Sequence, residues 1–388
     1  MSSGIAQLVV QGKQDQFISG NPEITFFNKL FSRHSNFSMW FDKQVVEGNV
    51  KPGNRQVVKI TKGADMIGSV FIRLLNNNNL PTGYKFSDII DRIELVIGGQ
   101  VIDTQYGEYI TVISPVVDYN SNRLMMGQGS NDIAQGYLPL SFFFNKDYGS
   151  MLPLVALQYH DVELRIYYTG YSDDRGQVIV ASDGLNGDAD GMSLECITQS
   201  FLLDNTERKI VAQKPTKMLI TQVQRISSSN TSVQELQLHS PVKFIVGHFK
   251  NSDIYTNDSG VKNAWMNYSN RIKLQINGTD VTPWLYPYID LGITTLLKHA
   301  PGRSLLFLDS VGVAKTHTVV NNSLERMFLL PFCLNVASLQ PSGTINFSMI
   351  EDARVLSESP TYTFQGHLFA VNYNILRIEN GMGGLMYI

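Results

Sequence analysis

The sequence predicts an all-β protein, two tandem eight-stranded antiparallel jelly rolls preceded by an N-terminal arm. Two observations carry this. The first is the stretch 137–168, YLPLSFFFNKDYGSMLPLVALQYHDVELRIYY, which reads as strands over 138–144 and 155–168 joined across Asn145, Asp147 and Gly149. Val162, Leu164, Ile166 and Tyr168 alternate with Asp161, Glu163, Arg165 and Tyr167, the period of a half-buried strand. Upstream the alternation (Val155, Leu157, Tyr159) runs in the other phase, so a bulge or bend is expected near His160. The second observation is that the stretch recurs. Residues 327–350, MFLLPFCLNVASLQPSGTINFSMI, again run as apolar strand with Leu-Pro, aromatic, polar break and alternating strand, with Ile345, Phe347 and Met349 on one face.

A second pair of segments extends the duplication. Arg92-Ile93-Glu94-Leu95-Val96-Ile97 meets Gly98-Gly99, and Arg271-Ile272-Lys273-Leu274-Gln275-Ile276 meets Asn277-Gly278. Each two-residue turn favours a tight hairpin, because both central residues tolerate φ > 0. The landmarks run from 92 to 139 in the first copy and from 271 to 331 in the second, which therefore carries about 13 more residues.

In chain order, residues 1–25 hold few alternating apolar positions and read as an arm that becomes ordered on a partner surface. Strands are expected around 57–61, 67–75 and 92–105, and a short helix over 106–117, where Tyr109, Val112 and Ile113 repeat at helical spacing until Pro115 limits it. Residues 170–191 are loop-like and acidic, and 192–203 return to strand. The polar span 204–217 (DNTERKIVAQKPTK) is expected as the connection between domains, which sets the first roll at 26–212 and the second at 213–388. In the second roll, 218–223, 242–250 and 369–378 read as strands. Residues 251–270, rich in Asn, Asp and Ser, read as a solvent loop, 292–322 as a long mixed segment, and 379–385 as a glycine-rich tail.

Composition bounds the function. A chain of 388 residues is too long for one ordinary core and suits two domains. With 43% hydrophobic and 17% charged residues it is globular, and a net charge of −3 argues against direct nucleic-acid binding, which needs clustered Lys and Arg. The two cysteines, Cys196 and Cys333, fall one in each half in apolar contexts and read as buried free thiols. The N-terminus lacks the pattern of a signal peptide, and no apolar run approaches the about 18 residues of a membrane-spanning helix.

Chemistry-bearing patterns are sparse. The seven histidines (His34, His160, His239, His248, His299, His317 and His367) include no i, i+4 pair and no accompanying Cys cluster, so no metal site is assigned. His160 and Asp161 are adjacent and would point to opposite faces of a strand, so they form no acid–base set with Glu163. Asn186-Gly187-Asp188-Ala189-Asp190-Gly191 matches the opening of a calcium loop, but Ile197 stands where the bidentate Glu should fall and no helices flank it. Gly381-Met382-Gly383-Gly384 lacks the Lys-Ser/Thr and helix of a phosphate loop. Arg208, Lys209, Lys214 and Lys217 make a small basic patch in the connection. No catalytic, cofactor-binding or metal residue is assigned, and no enzyme activity or cofactor is expected.

Five segments in order then resemble one family, the double jelly-roll major capsid proteins of large double-stranded DNA viruses of eukaryotes (the iridovirus, phycodnavirus and giant-virus group). They are Gly20-Asn21-Pro22-Glu23-Ile24-Thr25-Phe26-Phe27 with Arg33-His34-Ser35-Asn36-Phe37; Ile93 to Gly99 leading to Gln105-Tyr106-Gly107-Glu108-Tyr109; and Leu152 to His160. Gln340 to Ser348, and Asn374-Ile375-Leu376-Arg377-Ile378 with Gly381-Met382-Gly383-Gly384-Leu385, complete the set. The resemblance implies a structural subunit of an icosahedral shell that forms homotrimers, pseudo-hexagonal capsomers. It implies contacts with neighbouring capsomers, and with minor capsid proteins or an internal membrane through the arm. It places the protein in the virion, assembled in the host cytoplasm. A less abundant capsid paralogue remains an alternative. A non-viral carbohydrate-binding jelly-roll module would carry a secretory signal and ligands clustered on one loop end, and a cupin-like enzyme would need two converging His and a carboxylate.

Overall fold

The computed structural model describes residues 9, 12–14, 35–51, 53–75, 89–118, 137–169, 193–249, 262–265, 270–300, 305–308, 314–317 and 326–387. Its strands in the first half are β1 (Phe37–Gln44), β2 (Val46–Glu47), β3 (Arg55–Lys59), β4 (Met66–Leu75), β5 (Ile90–Ile97), β6 (Gln100–Tyr106), β7 (Tyr137–Pro139), β8 (Leu152–Pro153), β9 (Val162–Tyr168) and β10 (Ser193–Leu203). One sheet runs β1-β10-β4-β7, with β8 also on β4, and the facing sheet runs β2-β3-β9-β5-β6. Such crossing of non-consecutive strands between two sheets is the jelly-roll connection.

The second half repeats it with β11 (Thr216–Ile226), β12 (Val233–Glu235), β13 (Pro241–Phe249), β14 (Lys262–Asn263), β15 (Ile272–Ile276), β16 (Thr279–Asp280), β17 (Leu305–Leu308), β18 (Ala314–His317), β19 (Arg326–Pro331), β20 (Ile345–Asn346), β21 (Ala353–Ser357), β22 (Tyr362–Thr363), β23 (Leu368–Glu379) and β24 (Met382–Leu385). Here β11-β23-β13-β19 and β12-β21-β15-β16 take the places of β1-β10-β4-β7 and β3-β9-β5-β6. The same eight-strand order therefore occurs twice in one chain, which makes the fold a double jelly roll.

The landmarks of the duplication occupy equivalent places. Pro139 ends edge strand β7 opposite Phe71 of β4, and Pro331 ends edge strand β19 opposite Phe244 of β13. An edge position suits proline, which has no N–H to give a ladder. Gly98 and Gly99 turn between β5 and β6 at φ of 57° and 85°, and Asn277 and Gly278 turn between β15 and β16 at 47° and 77°. Strand β9 buries Val162, Leu164, Ile166 and Tyr168 on one face, the alternation read in the sequence.

Several expectations are corrected. The strand expected over 138–144 is only Tyr137–Pro139, and Phe143–Asn145 turns as a 3-10 helix, because Asn145 folds back to donate to the Val70 and Leu140 carbonyls. Within 155–168 only Val162–Tyr168 is strand. Leu154–Ala156 is a 3-10 turn, and the bend expected near His160 is present over residues 158–160, just ahead of the strand. Its counterpart Phe347–Met349 is also 3-10, and of Ile345, Phe347 and Met349 only Phe347 is buried. The connection 204–217 contains the helix α1 (Asn205–Gln213), and its last residues already belong to β11. The short helix expected over 106–117 is present, as a π-helical turn, Tyr109–Ile113, continuing into a turn of α-helix, Ser114–Val117, so that Pro115 sits inside it and does not end it. The span 251–270 is no plain solvent loop, since it delivers fully buried Trp265 to the second core, stacked on Phe328 with centroids 4.6 Å apart. The glycine-rich tail forms a hairpin: Asn380 and Gly381 turn at positive φ and β24 returns along β23. The arm, 1–25, lies almost wholly outside the described residues, and the acidic loop 170–191 with 186–191 lies wholly outside them.

Among the described residues three apolar clusters result. One fills the first roll, one the second, and a third combines Tyr109, Ile113 and Val117 of the first with Val223, Phe244, Met327, Phe369 and Val371 of the second.

Candidate functional site: the seam between the rolls

The third cluster marks a seam that is built as a core is built. Tyr106 and Tyr109 each lie 5.7 Å, centroid to centroid, from Phe369 of β23. The first roll's own core also takes in Ile220 of β11 and Leu376 and Ile378 of β23. Polar groups then fix the register. The backbone N–H of Val223 donates to Asp103 Oδ1 at 3.1 Å, and Gln222 donates its amide to the Ile102 carbonyl. Arg225 pairs with Asp91 at 3.1 Å while its guanidinium lies 4.4 Å over the Tyr106 ring.

Buried charge concentrates at this seam. Burial pushes the Asp103 carboxyl up to about 6, against the lowering pull of its hydrogen bonds from Val223 and Gln105 and of the nearby Lys146. Lys146 reaches Asp118 at 3.2 Å and Thr221 Oγ1 of the second roll at 3.0 Å. Asp118 in turn accepts from the Ser114 and Ser141 hydroxyls. Across from them Lys243, 4% exposed, is pushed down to about 8, first by burial and then by Lys146.

The C-terminal hairpin closes the other end of the seam. Tyr159 donates its N–H to the Gly381 carbonyl at 3.0 Å, Gly383 donates to His160 Nδ1 at 3.1 Å, and Leu385 donates to Gln100 Oε1 at 3.1 Å. Gly383 lets the backbone come close to the first roll, since an added Cβ would meet Leu157 Cδ2 at 2.7 Å and push that side chain aside.

The sequence-selected residues lie as follows. His160 meets the Gly383 backbone, exposed Asp161 pairs with Lys62 at 2.9 Å, and Glu163 pairs with Arg165 at 3.2 Å, so the three do not converge. His299 Nδ1 lies 3.0 Å from the Cys333 carbonyl, and the buried Nδ1 of His367 has no partner among the described residues. His34 and the side chains of His248 and His317 lie outside them. Among the described residues no three His, Cys, Asp or Glu side chains group as a metal site would need. Cys196 and Cys333 are both free and buried, and burial raises both thiols, Cys196 to about 12. Arg208 of the basic patch pairs with buried Asp65 at 2.8 Å. Sequence reasoning did not single out Asp103, Lys146, Lys243 or Gln222. The available signal was a charge inside an apolar run, as Lys243 in PVKFIVGHF.

Residues 25–237, more than half of the chain, match the family model described as major capsid protein N-terminus. Over the full length of both chains the protein is 29% identical to the major capsid protein of Pyramimonas orientalis virus and 28% identical to that of Paramecium bursaria Chlorella virus 1. Its structure matches the quasi-atomic model of the PBCV-1 virus capsid with a TM-score of 0.68 at 23% identity, covering 94% of this chain and 100% of that one.

Proposed function

The chain belongs to the major capsid protein family, and on that premise we propose that three copies assemble into a capsomer of six similar blocks, the building unit of an icosahedral shell. The observation that carries this reading is the eight-strand order occurring twice in one chain. A trimer of such chains presents six nearly equivalent faces around its axis, so one gene product can tile a nearly hexagonal lattice. The seam supports it, because two rolls sharing a buried cluster move as one body and hold the pseudo-hexagonal spacing.

The edge strand β1 also supports assembly. Phe37, Met39 and Phe41 stand exposed at every second residue, 48%, 49% and 62% accessible, an apolar stripe on a sheet edge of the kind that subunit contacts cover. Residues 26–212 and 213–388 are taken as the two roll domains, with 1–25 as an arm that meets minor capsid proteins or an internal membrane at the capsomer base. The protein acts in the virion after assembly in the host cytoplasm, without turnover or cofactor.

Electron-microscopic class averages of the purified protein test this reading. The expected particle has a near-hexagonal outline with threefold symmetry. Two-lobed single chains at every concentration would overturn it.

A further inference from the structure

The seam also holds a half-open pocket of about 260 Å³, lined by polar side chains from both rolls. From the first roll come Lys146, already engaged with Asp118 and Thr221, and Asp147 at the rim. From the second come Lys243 and Tyr373, 4% and 7% exposed. Among the described residues the Lys243 ammonium makes one hydrogen bond, to the Ser338 carbonyl at 2.9 Å, and no ion pair. The buried Tyr373 hydroxyl has no hydrogen-bond partner among them.

A buried ammonium with donors to spare and a buried phenol with none of its capacity used are costly unless something meets them. Both are donors, and both line the same cavity. Asp118 is occupied by Lys146, Ser114 and Ser141 and reaches Lys243 only by its field, and exposed Asp147 accepts from Gly149 N–H at 3.0 Å, so neither carboxylate forms an ion pair with Lys243. The cavity is several times the roughly 30 Å³ share of one water and has room for a tetrahedral oxyanion.

We propose that this pocket binds a small free oxyanion of the phosphate class, held by Lys243 Nζ and Tyr373 Oη with Lys146 adding positive potential. Because its walls come from both rolls, the bound anion ties them together. The site stands independently of trimer formation, since every residue in it belongs to one chain.

The test uses the full chain and inorganic phosphate as probe, by isothermal titration and by thermal unfolding against sodium chloride of equal ionic strength. The wild type is expected to bind phosphate saturably and to melt several degrees higher in its presence. Tyr373→Phe removes only the unpartnered hydroxyl, so it should fold at least as well as the wild type. It should weaken phosphate binding by about tenfold, the loss of one charge-assisted hydrogen bond. Lys243→Met should abolish binding. If Lys243→Met does not fold, Tyr373→Phe alone decides. Absence of saturable phosphate binding by the wild type, or unchanged affinity in Tyr373→Phe, would overturn the proposal and leave the cavity to water.

Discussion

Asp103 joins the two rolls through a single carboxylate oxygen, and its burial makes that junction sensitive to pH. Its ordinary carboxyl value of 3.8 rises to about 6 in the folded chain, so between these values the folded state holds a proton that the unfolded state has lost. Stability therefore falls as pH rises through that window, and above it a buried carboxylate is carried at a cost of up to about 3 kcal/mol. Asp103→Asn keeps an oxygen for the Val223 N–H and removes the charge. It should raise unfolding free energy at pH 7 by about 1–3 kcal/mol and change it little at pH 4, as read from denaturant titrations at the two pH values. A variant less stable than the wild type at pH 7 would show that the charge itself holds the seam. None of this was legible in the sequence, since Asp103 meets its partner 120 residues away and its neighbours give it no local signature. By contrast, the core positions Val162, Leu164 and Ile166 were legible, because a half-buried strand writes its faces into residue-by-residue alternation.

The C-terminal hairpin, β24 on β23, is the element whose removal most directly tests how the seam is closed. Its backbone meets Tyr159, His160 and Gln100 of the first roll, while β23 itself keeps its ladder to β11 and β13. Truncation after Glu379 should leave both rolls folded, lower the melting temperature by several degrees and speed amide exchange at 98–100 and 157–160. Unchanged exchange there would place the seam's strength wholly in the apolar cluster. Glycine made this strand illegible, because Gly383 and Gly384 lower strand propensity while allowing the backbone approach that seats the strand. Trp265 was missed for a related reason. Its surroundings are rich in Asn, Asp and Ser, and one buried indole in a polar span leaves no periodicity to read. The two hairpin turns were legible because Gly-Gly and Asn-Gly are demanded by their positive φ angles.

At the scale of the whole molecule, the repeated strand order and the buried seam make the chain a packed pair of similar blocks, and such a pair is suited to a threefold arrangement. The duplication was readable because the same Leu-Pro strand ends and tight hairpins recur in order, whereas the seam depends on pairings between the copies that no single stretch encodes. The most direct measurement of the assembly is the solution mass of the purified protein by light scattering on a sizing column, followed through dilution. A chain of 43.4 kDa that forms capsomers gives a particle of about 130 kDa that survives dilution, because an obligate interface is large and apolar. A well-folded 43.4 kDa monomer at every concentration would contradict self-sufficient assembly into trimers.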